Sequence, residues 1–178
     1  ERLKHRNKVL MHYLTDTNLN WQLIADKDSK LKQLSDLSDK IVAMTRFSGT
    51  DLLTDMAVKK AKPKYQVFRV QVNDVLVRLA MLQNHEIDAY WFAEPQITKA
   101  LSADNNSLFN SEDAGVHLGV VAIMDKVRRQ DEEAAFAAAY DKAVEQINKN
   151  GVKYYSALIQ KYMKVDESVV RALPDIKY

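Results

Sequence analysis

Between residues 40 and 101, short apolar runs alternate three times with segments that have one apolar face. The runs cover residues 41–44, 67–70 and 87–92, and each is followed by apolar residues at helical spacing. The first run, IVAM, is continuously apolar, which is typical of a strand buried on both faces of a parallel sheet. The alternation predicts an α/β fold in which short right-handed crossovers connect parallel strands.

The rest of the chain divides into shorter predicted elements. Two β-favouring runs, at 9–14 and 21–25, precede a short helix at 27–40 that has leucines three residues apart. Residues 102–114 are polar and irregular, which predicts a linker, and 116–124 read as a strand. From residue 131 the pattern is helical to the stop signal Asn150-Gly151, and two further helices follow.

Composition removes several function classes. The 26 basic and 24 acidic residues leave a net charge of +2, which gives no electrostatic support to a nucleic-acid partner. The chain has no cysteine, so disulfides, thiolate zinc sites and cysteine nucleophiles are excluded. The four histidines lack metal-ligand spacing, and there is no GxSxG motif or glycine-rich phosphate loop. We therefore predict a chain that is not an enzyme, with no catalytic residue, metal site or cofactor.

Candidate ligand contacts follow from the rule that open α/β sheets bind ligands at the carboxyl ends of their strands. The first such end is followed by Arg46, Ser48 and Asp51. Backbone N–H groups at the start of the helix there can hold an acceptor atom of a ligand. Ser48 and Asp51 also fit a capping box, and both roles stay open. Asp51 disfavours an anionic group unless Arg46 neutralises it, which slightly favours a neutral or amine-bearing ligand.

A second candidate pair, Trp91 and Glu94, lies at the end of the third strand. A flat aromatic face beside an acceptor suits an aromatic or cationic small molecule. The alternative for Trp91 is packing between the sheet and a helix, and Glu94 can serve as a partner of the helix dipole.

Four phrases of the sequence together resemble one family. They are WQLIADKDS at 21–29, LSDLSDKIVA at 34–43, EIDAYWFAEP at 86–95, and the helical stretch from residue 135. Their order and spacing resemble type II periplasmic solute-binding proteins of ABC importers, in the branch that includes aliphatic sulfonate, taurine and NMT1/THI5-like pyrimidine-precursor binders. One departure is Asp39, where the family pattern has glycine.

The resemblance implies the architecture of a periplasmic binding protein of type II, with one complete three-layer lobe and part of another. Residues 36–113 would form lobe two, and 1–35 with 114–178 would be the remainder of lobe one, with hinge strands near 20–27 and 116–124. The chain begins at Glu1 rather than Met, so we expect a processed or shortened chain that lacks its targeting segment. Without the opposing wall, we expect this chain to bind its ligand weakly or not at all.

The implied function is capture of a small organic solute between two lobes for delivery to an ABC permease subunit. The implied ligand contacts are Arg46, Ser48, Thr50, Asp51, Asn73, Trp91 and Glu94. The implied location is the bacterial periplasm or cell envelope, with the membrane reached only through the permease or a lost N-terminal lipid anchor, as in a lipoprotein. An open sheet edge in lobe one would favour a dimer.

Two other function classes remain open from the sequence. One is an enzyme that makes the thiamine pyrimidine, since the NMT1/THI5-like branch includes such a member. The other is the effector-binding domain of a transcription regulator, which shares the fold. A secretion signal upstream would favour the importer component, and a helix-turn-helix would favour the regulator.

Overall fold

The structure is a computed structural model that describes residues 11–17, 20–116, 118–124 and 129–178. The chain separates into two compact units, one spanning Asn20–Val116 and the other combining Glu1–Leu19 with His117–Tyr178. Seven strands and six α-helices lie in the described residues. The strands are β1 (Met11–Thr17), β2 (Trp21–Ala25), β3 (Ile41–Met44), β4 (Phe68–Gln71), β5 (Ala89–Ala93), β6 (Asn106–Asn110) and β7 (Gly119–Met124). The helices are α1 (Gly49–Ala61), α2 (Val75–Gln83), α3 (Gln96–Leu101), α4 (Gln130–Asn150), α5 (Ser156–Met163) and α6 (Glu167–Ala172).

The unit Asn20–Val116 is built on a five-stranded sheet in the order β4-β3-β5-β2-β6. Strands β4, β3 and β5 are parallel, as predicted from the alternating pattern. Strand β2 runs antiparallel to both β5 and β6, so the complete sheet is mixed. The α/β prediction is confirmed, and the single reversed strand β2 adds to it.

Helices cover both faces of this sheet. On one face, Leu79 and Leu82 of α2 and Ile97 of α3 pack with Tyr90 and Phe92 in a common core. On the other face, α1 contributes Thr54, whose hydroxyl accepts a hydrogen bond from the indole of Trp91 at 2.8 Å. Strand β5 is buried on both faces because alternate side chains enter the two cores.

Local signals set the ends of α1 and α2. Ser48 precedes α1, and its hydroxyl accepts from the Thr50 N–H at 3.2 Å. Asp74 caps α2, and its carboxylate accepts from the N–H groups of Leu76 and Val77. These caps satisfy N–H groups that have no partner within the helix. They also place each helix start directly after the strand that precedes it.

The second unit contains the antiparallel pair β1-β7 and the helices α4, α5 and α6. Its buried cluster comprises Val152, Val165, Val169, Val170 and Leu173. The strand predicted at 9–14 corresponds to β1, with residues 9 and 10 outside the described part of the chain. No helix among the described residues combines the length and apolar character that crossing a membrane requires.

Two expectations about connections were wrong. The predicted linker at 102–114 contains β6 and a 3-10 turn at Glu112–Ala114. The predicted helix at 27–40 is replaced by two 3-10 turns, at Lys27–Ser29 and Leu34–Leu37. Strand β2 lies inside the five-stranded sheet because it pairs with β5 and β6, and its role as a hinge strand stays a prediction. The assignment of residues 36–113 and of 1–35 with 114–178 to two lobes stays a prediction.

Candidate functional site

The carboxyl ends of β3, β4 and β5 form one edge of the sheet in unit Asn20–Val116. The segments that follow these strands contain six of the predicted contacts: Arg46, Ser48, Thr50, Asp51, Asn73 and Glu94. The Thr45 hydroxyl lies 3.5 Å from the Val72 carbonyl and links the ends of β3 and β4. The structure therefore brings the segments after β3 and β4 together, as the strand-end rule predicts.

Hydroxyl groups close the turn between β3 and α1. Ser48 Oγ donates to the Thr45 carbonyl at 2.6 Å and accepts from the Thr50 N–H. Thr50 is buried, and its Oγ1 accepts from the Thr45 N–H at 3.0 Å. The capping role that the sequence left open for Ser48 is therefore present. A ligand role for Ser48 and Thr50 stays a prediction.

Asp51 is neutralised by an arginine that the sequence did not single out. Its Oδ1 lies 3.1 Å from Nη1 of Arg69 on β4, and its Oδ2 accepts from the Phe47 N–H at 2.7 Å. Arg46, the expected partner, is exposed and lines a cavity with Lys59. Arg69 also pairs with Asp55 at 2.7 Å, so it compensates the charge of Asp51 in part, and the argument against an anionic ligand is weakened.

Asn73 and Glu94 differ in burial. Asn73 is exposed, and its Oδ1 accepts from Gln71 Nε2 at 3.1 Å. Glu94 is half-buried, and its Oε2 accepts from the N–H and the hydroxyl of Thr98 at 3.1 and 2.8 Å. Burial raises the pKa of Glu94 above its usual value, although the two bonds from Thr98 oppose that rise. Glu94 is thus a partly desolvated acceptor at the end of β5.

Trp91 is fully buried, so the packing alternative describes its position. Its ring meets Phe109 edge-on at 6.0 Å, and its indole N–H is bonded to Thr54. The expectation that Trp91 offers a flat face to a ligand does not agree with this burial. We therefore leave Trp91 out of the site that we propose below.

A buried arginine at the same edge was missed by the sequence analysis. Arg78 of α2 is only 4% exposed, and its Nη1 donates to the Trp91 carbonyl at 2.7 Å. Its Nε has no hydrogen-bond partner, and among the described residues no carboxylate forms an ion pair with it. Burial lowers the pKa of Arg78, and the charge of Asp74 opposes that change. The guanidinium is therefore a buried cation without a counter-ion among the described side chains.

The sequence held a signal for Arg78. Val75, Arg78, Leu79 and Leu82 lie at helical spacing on one stripe of α2, so this charged residue occupies a position of apolar type. A charged residue in an apolar stripe requires a partner or a function, because burying an unpaired charge is costly.

Trp21 gives a second unpaired donor near this edge. It pairs in register with Ala93, and its indole N–H is buried without a partner.

Comparisons with known proteins identify the fold. No protein-family model and no curated protein sequence matches the chain. The sulfonate-binding protein SsuA of Escherichia coli superimposes with a TM-score of 0.67 at 18% identity, over 93% of this chain and 56% of that one. A putative sulfonate-binding SsuA from Methylobacillus flagellatus KT gives 0.61 at 23%, over 88% and 49%. The alkanesulfonate-binding SsuA of Xanthomonas axonopodis pv. citri, bound to MOPS, gives 0.59 at 13%, over 93% and 60%.

These similarities confirm the α/β fold predicted from the sequence. The chain spans between 49% and 60% of the length of these three structures. Sequence identities below 25% support a shared fold but do not identify the ligand of this chain. The fold is that of the periplasmic solute-binding proteins of ABC importers.

Proposed function

We propose that this chain is part of the substrate-binding component of an ABC importer and that its solute is a small organic anion of the alkanesulfonate type. The observation that carries the proposal is the buried Arg78 guanidinium, which has no counter-ion among the described residues and lies at the edge where this fold class binds ligands. The three structural neighbours reported above are named as sulfonate-binding proteins, and we carry that solute class over to this chain as part of the proposal.

We assign complementary tasks to two groups at the edge. Arg78 supplies a planar, permanently charged donor that suits a sulfonate or carboxylate. Glu94, with one oxygen held by Thr98, supplies an acceptor for a hydroxyl or amino group of the same solute. The chain performs no reaction under this proposal, since binding and release leave the solute unchanged.

The importer role brings further proposals with it. The partners would be the solute and an ABC permease subunit, and the location would be the periplasm or the bacterial cell envelope. A lipid anchor and membership of the NMT1/THI5-like branch are narrower proposals of the same kind. The structure lends no support to the dimer through a sheet edge, and we do not propose it.

The test is a titration with alkanesulfonates, taurine and matched neutral alcohols. In the 178-residue chain, ¹H–¹⁵N NMR spectra should shift at the edge residues with an affinity weaker than micromolar. Arg78→Met should weaken binding by about 10-fold or more, since a charge-assisted bond is worth roughly 1.5–3 kcal/mol. The matched control Arg171→Met removes an exposed arginine on α6, outside the unit that holds the site.

Three outcomes would contradict the proposal. The first is no response of the chain to any anion at about 20 mM, a concentration at which a millimolar Kd is still detectable. The second is that Arg171→Met weakens binding as much as Arg78→Met does. The third is that neutral alcohols bind as well as the anions, which would remove the role of the guanidinium.

A further inference from the structure

A second cluster of charged side chains lies at the opposite edge of the sheet. Asp26 directly follows β2, and its N–H donates to the Asp88 carbonyl at the amino end of β5. His85 lies in the loop after α2, and its Nδ1 is 2.9 and 3.0 Å from the two carboxylate oxygens of Asp26. The same nitrogen is 3.2 Å from Oδ2 of Asp28. All three side chains belong to the unit Asn20–Val116.

A single proton on Nδ1 of His85 cannot hydrogen-bond to all of the carboxylate oxygens that surround this nitrogen. Nδ1 carries at most one N–H, which points at one acceptor, whereas two carboxylates converge on it. A cation placed among the three residues would contact all of them. Donor atoms around a first-row divalent ion at about 2.0–2.2 Å are separated by roughly 3 Å, which is close to the distances found here.

Asp26 makes a cation at this place physically reasonable. The residue is 3% exposed, and its carboxylate meets no lysine or arginine among the described residues. Its other bond comes from the Asp28 N–H at 2.7 Å. The neighbouring Asp88 is different, because Lys40 lies 3.1 Å from it. A buried carboxylate needs a compensating charge, and His85 supplies one only when it is protonated.

Two further features surround the cluster. An open cavity of about 380 Å³ is lined by Asp26, Asp28 and His85, so an ion with its waters has access. The hydroxyl of Tyr90, on β5, is buried without a hydrogen-bond partner. Burial and the charges of Asp26, Glu86 and Asp88 raise the pKa of Tyr90. This hydroxyl is therefore a neutral donor in the negative field of the cluster.

We propose that Asp26, Asp28 and His85 bind a first-row divalent cation of the zinc type at the edge of the sheet opposite to the solute site. Two carboxylates and one imidazole form a mixed oxygen and nitrogen donor set, which suits zinc, cobalt or manganese better than calcium or magnesium. The donor charge of two negative units matches a divalent ion. Waters from the cavity complete the coordination.

The site is expected to stabilise the connection between β2 and the loop that follows α2. Asp26 and His85 are 59 residues apart in sequence, so one ion would join two distant segments of the same unit. An ion that binds only the folded chain raises the free energy of unfolding, and the increase grows with the logarithm of the ratio of ion concentration to Kd. The proposal does not depend on the solute site, which lies at the other edge.

The experiment is calorimetry of the chain with Zn²⁺, and with Ca²⁺ for comparison, in a buffer that does not bind metal. We expect one Zn²⁺ per chain and much weaker Ca²⁺ binding. Asp28→Asn and His85→Gln should each weaken Zn²⁺ binding by about 10-fold or more, a loss of the size seen when metal-site groups are removed. Both residues are partly exposed, so these variants should fold, and circular dichroism checks that. Asp113→Asn, in an exposed turn, is the matched control.

Coordination is checked directly by ¹⁵N NMR of the histidine rings and by the visible spectrum of the Co²⁺ form. Zn²⁺ should move the Nδ1 resonance of His85. Equal binding by the wild-type chain and both variants would overturn the proposal, as would no binding at millimolar Zn²⁺. A shift confined to other histidines would also overturn it. None of these results bears on anion binding by Arg78.

Discussion

Arg69 and Asp51 form an ion pair between β4 and α1, with Nη1 and Oδ1 separated by 3.1 Å. Arg69 also reaches Asp55, one helical turn further along α1, at 2.7 Å. One arginine on the strand thus holds two carboxylates of the neighbouring helix. The carboxylates at the start of α1 are therefore partly compensated by a residue of the neighbouring strand, and not by the exposed Arg46.

A double-mutant cycle with Asp51→Asn and Arg69→Gln tests this pairing. The pair is partly exposed, so we expect a coupling free energy of only about 0.2–1 kcal/mol, decreasing as salt is added. Urea unfolding of the four proteins gives the value. A cycle of Asp51→Asn with Arg46→Gln is the control and should give no coupling. Equal coupling in both cycles would show that our assignment of the partner is mistaken.

The Trp91–Thr54 bond is expected to contribute strongly to stability. Replacing Thr54 by valine preserves shape but removes the acceptor of a fully buried indole N–H. An orphaned buried donor costs about 1–3 kcal/mol, so Thr54→Val should lower the free energy of unfolding by that amount. Thr54→Ser keeps the hydroxyl and serves as the control for the bond. A serine variant as unstable as the valine variant would show that methyl packing, not the bond, is what matters.

Local patterns explain why β3, α1, β4 and α2 were predicted well. The run IVAM, the Ser48 cap and the Asp74 cap are all signals contained within a few residues. Strand β6 was missed because NSLFN carries mostly polar residues and lies at the edge of the sheet, where burial demands less apolar character. The position of β2 depends on pairing with residues more than 60 positions away, which no local pattern records.

The site was harder to predict than the fold. Strand β5 is buried on both faces, so alternation could not tell which face Trp91 occupies. The pairing of Asp51 with Arg69 depends on which strand lies beneath α1, which is a property of the assembled sheet. Arg78 was within reach of the sequence, because its place on an apolar stripe is visible without coordinates.

Anions should stabilise the chain through Arg78 if this guanidinium is a binding group. Binding to the folded state alone adds about 1.4 kcal/mol to the free energy of unfolding when the ligand is at tenfold its Kd. Thermal unfolding with methanesulfonate, against sodium chloride of equal ionic strength, measures the effect. Arg78→Met should lose it, whereas the control Arg171→Met, on the exposed surface of α6, should keep it. A shift that survives in Arg78→Met would place the anion elsewhere.

Glu94 gives a prediction about pH. Its folded-state pKa is raised by burial, so the folded chain holds the proton more tightly than the unfolded chain does. Its contribution to stability is therefore most favourable below the unfolded pKa, near 4.3, and is lost as the pH rises through the higher folded pKa.

Glu94→Gln removes this dependence while its amide oxygen still accepts from Thr98. The variant should be more stable than the wild-type chain at pH 7, and the difference should shrink towards pH 4. Urea unfolding across this range, with the exposed Glu112→Gln as control, measures it. A difference that is constant with pH would mean that the carboxyl does not titrate differently in the folded chain.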